Sequence, residues 1–351
     1  MAPLVSAAPR CCAALFAAGI ALGAAIGCGS PGDTSGSTST GGSTSTGGST
    51  STNSSGGGGA APILDPSLFD CTAKKAPERV NQVPISCATD PACATRLVSG
   101  HRAAGGELGV IAPEDTVSAV RAAIVLGIDF VETDPRPTKD GFLVNLHDTS
   151  VDRTTDGSGE AADMTLAEIQ ALHLKTSEYP GDFSCDHVPT LEEILAAAKG
   201  KVHVLVDANK TDRVDLLVGA IQSTDTVEWA IFDTDSQAKI DEALTLEPAL
   251  HTMIRVLTTD DLDAEMAHFA AHPPVIVEAE KGNDPTTLVP AIHVAKCHAL
   301  SDAFVSDLSA GLSDDPSVYD EMWKSGYDIL QSDRPDLVLR NLGRWPPPAQ
   351  P

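Results

Sequence analysis

The sequence predicts an α/β chain folded as a closed (β/α)8 TIM barrel with a small insertion after the second strand. Two observations carry that prediction. From Arg96 onward, short β-branched runs alternate with longer helical patterns, and eight such runs match the strand count of a closed barrel. No G-x-G-x-x-G stands at a first strand–helix turn, which disfavours an open doubly wound sheet. With 42% hydrophobic but only 4% aromatic residues in 351, the core is sizeable and mostly aliphatic.

The predicted strands are Leu97–Gly100, Ile128–Thr133, Val202–Val206, Val227–Phe232, His251–Val256, Val275–Glu278, Ala303–Ser306 and Asp328–Gln331. Helical spacing links them over Asp115–Leu126, Leu191–Ala198, Arg213–Ile221, Gln237–Leu244, Ala264–Ala271, Leu288–Ala295 and Ser317–Lys324. Asp134 to Pro189 is too long for one loop and carries the insertion. Within it, Lys139-Asp140-Gly141 reads as a turn and residues 142–146 as a short strand. Residues 61–94, rich in proline, read as an irregular extension wrapped on the core. The barrel domain then runs over 95–344, and 345–351 form a Pro-rich tail.

Lys+Arg total 23 against 49 Asp+Glu, a net charge of −26. That balance argues against nucleic acid as a partner and against electrostatic binding to anionic lipid, both of which need a basic footprint. The apolar run from Cys11 to Ile26 is too short to span a bilayer and follows the lone charge Arg10, as in a signal peptide. Ala25-Ile26-Gly27-Cys28 resembles the lipobox of bacterial lipoproteins. The resemblance implies a signal segment over 1–28, a lipidated Cys28, a membrane contact through that N-terminal anchor and, with Gly29 following, an outer-membrane place in the cell envelope. Residues 29–60 form the tether. Thr34 to Gly59 holds only Gly, Ser, Thr and one Asn, which have no apolar surface to bury.

Of eight cysteines, Cys11, Cys12 and Cys28 fall in this leader. An exported body permits disulfides among the other five. Cys87 and Cys93 are neighbours, and Cys71 can reach Cys185 or Cys297. The spacings do not read as a zinc site.

The chemistry sits at strand ends, where barrel enzymes carry it. The first strand runs into His101-Arg102. Glu132 and Asp134, two apart, share one face of the second strand. Two adjacent carboxylates repel, and a hard divalent cation with oxygen ligands relieves them. His147 follows the short strand of the insertion. Two histidines, an arginine and an acid pair suit phosphodiester cleavage. One imidazole takes the proton of the attacking oxygen and the other protonates the leaving oxygen. Arg102 grips the phosphate, which gives an acidic protein a local cation for an anionic substrate. Glu278 and Glu280 share a face and read as inward hydrogen-bonding or substrate contacts.

These residues resemble the glycerophosphodiester phosphodiesterases. The resemblance rests on Gly100-His101-Arg102, Ala112-Pro113-Glu114-Asp115-Thr116, Glu132-Thr133-Asp134, Thr138-Lys139-Asp140-Gly141, His147-Asp148, Arg153-Thr154-Thr155-Asp156-Gly157, Val188-Pro189-Thr190-Leu191-Glu192-Glu193 and Ser332-Asp333-Arg334-Pro335. It implies a TIM barrel and a divalent metal, Ca²⁺ or Mg²⁺. It implies hydrolysis of glycerophosphodiesters to sn-glycerol 3-phosphate and an alcohol, with His101 and His147 as the acid–base pair. It also implies Glu132, Asp134 and Asp207 as metal ligands, and Lys210 beside Arg102 as a phosphate contact. Asp207 is shorter than the family's usual Glu, and Lys210 comes one position late. The stretch Ala103–Gly109 is longer and more glycine-rich than the usual first motif. Two other readings of the barrel are a lysophospholipase D-like or phosphatidylinositol-cleaving enzyme and a non-catalytic envelope lipoprotein.

Overall fold

The computed structural model describes residues 64–80, 83–347 and 350. All lie in one compact unit, Gly59–Pro351. The expected signal segment, Cys28 and tether lie outside the described residues.

In chain order the strands and helices are β1 (Leu97–Gly100), α1 (Val117–Leu126), β2 (Phe130–Thr133), β3 (Pro135–Pro137), β4 (Leu143–Asn145), α2 (Leu166–Gln170), α3 (Leu191–Ala198), β5 (His203–Asp207), α4 (Val214–Ser223), β6 (Ala230–Asp233) and α5 (Gln237–Leu246). There follow β7 (His251–Val256), α6 (Thr259–His268), β8 (Ile276–Ala279), α7 (Pro285–Val294), β9 (His298–Asp302), α8 (Phe304–Ser313), α9 (Asp320–Lys324), β10 (Ile329–Ser332) and α10 (Pro335–Asn341). Eight strands close a parallel barrel in the order β1-β10-β9-β8-β7-β6-β5-β2. β3 and β4 form a separate antiparallel hairpin inside the insertion.

Local chemistry sets the helix ends. Thr116 caps α1 by accepting the Ala119 N–H, and Gly127 ends it at φ 75°, in the left-handed region that glycine tolerates. Thr190 and Glu193 form a reciprocal capping box at the start of α3.

Strand alternation builds the barrel interior in two levels. Leu97, Phe130, Leu205, Ile231, Met253, Ile276, Leu300 and Ile329, one from each barrel strand, belong to a single cluster with no solvent exposure. Two positions further along the same strands stand Ser99, Glu132, Asp207, Asp233, Arg255, Glu278, Asp302 and Gln331. Two residues of strand are about 6.6 Å, so an apolar level gives way to a polar one within that rise. Val83, Cys87 and Ala88 of the extension join the apolar cluster and stopper its end. Cys87 O is 3.0 Å from His298 Nε2.

Two disulfides form, Cys71–Cys185 and Cys87–Cys93. Cys297 is a buried thiol whose pKa burial pushes up to about 11.

One predicted strand is corrected. The seventh barrel strand is His298–Asp302, and Ala303–Ser306 instead opens α8. Phe304-Val305 has strand-like propensity, but pairing decides. Leu300 is in register with both Glu278 and Ile329, and the Asp302 carboxylate accepts the Phe304 N–H and turns the chain. Among the described residues no helix is long and apolar enough to cross a membrane.

Candidate active site

The polar level of the barrel brings His101, Arg102, Glu132, Asp134, Asp207 and Lys210 together, while His147 lies outside it on the insertion. Glu132 at the end of β2, Asp134 just beyond it and Asp207 at the end of β5 each offer an oxygen within 4.8 Å of the others. All three are buried. Burial first, then the neighbouring Asp134, Asp115 and Asp207 charges, hold Glu132 well above the usual carboxylate range. Buried Asp134 Oδ2 has no hydrogen-bond partner among the described residues. A crowded oxygen set with an orphaned acceptor fits a hard divalent cation.

Lys210 Nζ stands 3.3 Å from Asp134 Oδ1 and 3.7 Å from Asp207 Oδ2. The lysine predicted to contact phosphate therefore already leans on two carboxylates of the trio. Arg255 reaches one member of the trio, Asp207. It binds Asp233 through two nitrogens at 2.7 and 3.1 Å, and also lies 3.3 Å from Glu278 and 3.7 Å from Asp207. Burial raises Asp233 to about 6 and Glu278 to about 7 despite that guanidinium. The predicted inward contact of Glu278 is thus to Arg255.

His101 leaves β1 with its Nδ1 2.5 Å from Asp333 Oδ1, while its Nε2 lies 3.8 Å from Glu132 Oε2. Burial alone depresses this imidazole, but the hydrogen bond and charge of Asp333 outweigh it, and its pKa is raised. Asp333 is fixed in turn. Its second oxygen accepts the Leu108 N–H at 3.1 Å, and its own N–H binds Asp307 Oδ2 at 2.7 Å. The glycine-rich stretch after the first motif packs directly on this pair. A Cβ on Gly106 would sit 2.6 Å from Asp333 Oδ1 and 2.8 Å from His101 Nδ1. Only glycine allows that approach.

Arg102 and Ala103 adopt left-handed φ values of 49° and 77°, which turn the chain back over the barrel. The Arg102 N–H then reaches Glu132 Oε2 at 2.9 Å. Its guanidinium is bound to Glu114 at 3.1 and 3.2 Å, with Nε 3.9 Å from Asp134 Oδ2. Glu114 passes on to Arg153, Arg153 to Asp148 at 2.7 Å, and Asp148 Oδ1 to His147 Nδ1 at 3.0 Å. The hydrogen bond from Arg153 holds Asp148 down at about 2. A continuous charged chain therefore ties His147, on the insertion, to the segment that carries His101.

A cavity of about 540 Å³ opens beside His101, Arg102 and Asp333. Its far wall comes from β8, β9 and the segments that follow them, through Ala279, Lys281, Asn283, Asp302, Phe304 and Val305. Sequence reasoning missed three members of this site. Asp333 was visible only as the close of the last strand, and Arg255 and Asp233 carried no motif. Their common signal is position two residues beyond an apolar strand residue, or just past a strand end. His173 and His187 are exposed and half-buried partners of Asp156 and Glu193, outside the cluster.

The glycerophosphoryl diester phosphodiesterase family model matches residues 101–300. A glycerophosphodiester phosphodiesterase of Caldanaerobacter subterraneus is 42% identical over 99 residues, 28% of this chain and 39% of that protein. The chain spans less than half the length of the curated relatives it matches. Among solved structures, a glycerophosphoryl diester phosphodiesterase from Parabacteroides distasonis superposes with TM-score 0.64 at 22% identity, covering 78% of this chain and 96% of that one. An Oleispira antarctica phosphodiesterase in complex with its product sn-glycerol-3-phosphate superposes with TM-score 0.57 at 20% identity, covering 71% and 97%. At these identities the structural matches speak to the barrel alone. With more than half its length matched by the family model, the chain belongs to the glycerophosphoryl diester phosphodiesterase family.

Proposed function

We propose that the protein hydrolyses glycerophosphodiesters to sn-glycerol 3-phosphate and an alcohol, with a divalent cation held by Glu132, Asp134 and Asp207. The observation that carries this reading is the meeting of His101 Nε2 with the three-carboxylate cluster, 3.8 Å from Glu132. Membership of the glycerophosphoryl diester phosphodiesterase family, and the 42% identity over 99 residues to the Caldanaerobacter subterraneus enzyme, support the same chemistry.

In this reading one imidazole takes the proton from the attacking glycerol hydroxyl while the other protonates the departing alkoxide, which leaves a cyclic phosphate. With the roles reversed, water loses a proton to the second imidazole and opens the ring to sn-glycerol 3-phosphate as the first protonates the released glycerol oxygen, so both return to their starting states. Asp333 holds His101 by Nδ1, which leaves Nε2 to carry the proton. Asp148, pinned by Arg153, does the same for His147. Arg102 and Lys210 supply charge to the phosphate from opposite sides of the carboxylates. Held by Glu132, Asp134 and Asp207, a Ca²⁺ or Mg²⁺ ion would supply positive charge to offset that on the phosphoryl oxygens. Lysophospholipid cleavage on the same site is a second reading, favoured by the apolar wall that Phe304 and Val305 give the cavity. An anchor at Cys28 in an outer membrane belongs to the same proposal and concerns residues outside the described part.

The test is release of glycerol 3-phosphate from glycerophosphocholine by purified protein with Ca²⁺, with Mg²⁺ and with chelator. Release that chelator abolishes, together with cation affinity weakened about tenfold or more in Glu132→Gln by calorimetry, is the expected result. No release from any glycerophosphodiester overturns the substrate. Unchanged affinity in Glu132→Gln moves the cation elsewhere.

A further inference from the structure

Helix α8 is built inside out. Among the described residues, Phe304, Val305, Leu308 and Leu312 of this one helix are all exposed, at 39, 66, 46 and 82%. Positions 304, 308 and 312 lie four apart with 305 beside them, so they form one outward stripe. The buried side carries Asp307 and Ala310 instead. Asp307 accepts the Tyr319 hydroxyl at 2.7 Å, the Ser332 hydroxyl at 2.6 Å and the Asp333 N–H at 2.7 Å. Turning the stripe inward would break all three bonds. The apolar face is therefore held outward by the same carboxylate that seats Asp333 under His101.

The stripe starts at the cavity, where Phe304 and Val305 line the wall opposite His101. Two more exposed apolar side chains stand on loops at this end of the barrel, Val110 after β1 and Leu257 after β7. Leu257 lies against Gly282 of the cavity wall. Contiguous exposed apolar surface marks a contact site.

Charge narrows the partner. α8 carries no Lys or Arg, Asp302, Asp314 and Asp315 are exposed at its ends with Asp314 paired to Arg340, and the chain has a net charge of −26. An anionic surface is repelled, and a second copy would set the same acids face to face. A neutral lipid surface takes the stripe without like-charge repulsion, and a tether expected over residues 29–60 would keep the body near one. From Phe304 to Leu312 the stripe runs about 12 Å, a length suited to shallow insertion at the headgroup boundary.

We propose that the outward face of α8 docks the protein on a zwitterionic phospholipid surface and holds the cavity mouth against it. This goes beyond the catalytic reading, because docking is read without turnover. The unit Gly59–Pro351 holds the closed barrel, its core and both disulfides, and stands as a fold of its own. Co-sedimentation of that unit with phosphatidylcholine vesicles should show binding that falls about tenfold or more in Leu308→Asp/Leu312→Asp. The single variant Leu312→Asp, at the most exposed stripe position, should lose part of it. Val294→Asp, equally exposed on α7, should lose none. Hydrolysis of soluble glycerophosphocholine should be the same in all four proteins, so a failed hydrolysis assay touches the catalytic reading alone. Equal sedimentation of wild type and double variant overturns the proposal, as does the absence of any wild-type binding. Binding that needs anionic lipid and fades with salt also overturns it. So does a wild-type dimer that the double variant abolishes, which would assign the stripe to a second copy.

Discussion

The two ends of the barrel interior are made by the same strands and behave as opposites. At one end eight aliphatic or aromatic side chains pack without exposure, and the extension at Val83, Cys87 and Ala88 closes over them. Two residues on, five of eight positions are acidic and one, Arg255, is cationic. Dense apolar packing stabilises the fold; crowded buried carboxylates oppose it, as the raised Glu132, Asp233 and Glu278 attest. The apolar end thus offsets the electrostatic strain of the carboxylates crowded at the other end. What separates them is one step of strand alternation, so a substitution shows its end by which property it moves.

The largest effect on activity is expected at the polar end. His101→Ala should lower kcat about 10³-fold while the far-UV spectrum of the folded protein is kept. A kcat within threefold of wild type would remove His101 from proton transfer. The mirror experiment is Ile329→Ala at the apolar end. It should lower unfolding free energy by about 2–5 kcal/mol in urea melts and leave kcat of the folded fraction unchanged. A fall in kcat there would mean the two ends are mechanically coupled. The smallest effect sharpens the boundary. Asp333→Asn keeps the shape of the carboxylate but not its charge, and should lower kcat about tenfold to a hundredfold with KM held within about twofold. A side chain with a purely structural role would lower the melting temperature and leave kcat alone.

Much of this is legible in sequence because it is local. Apolar-x-polar triplets such as Phe130-Val131-Glu132 and Leu205-Val206-Asp207 fall on single strands, and alternation places both levels at once. The strand His298–Asp302 escaped because Leu300 is its one large apolar residue among polar or small ones and its place is set by neighbours on either side. Asp333 and the Val83–Ala88 stopper escaped because their partners are distant in sequence. The His101–Asp333 contact spans 232 residues, and the Cys87–His298 contact 211. Nothing near Cys87 in sequence reveals that it will sit under a barrel. The inverted helix was not legible either: the sequence reads Ala303–Ser306 as a strand, and only Asp307 and its three donors show which side of α8 is in.

The wall of the cavity opposite His101 has a consequence for how such a protein can change. It is drawn from residues 279–283 and 301–305, whereas the carboxylate trio comes from the ends of β2 and β5. Substitutions in the wall reshape the cavity and leave the oxygen cluster untouched. Variation can therefore act on two short segments of chain while the carboxylate trio is inherited intact.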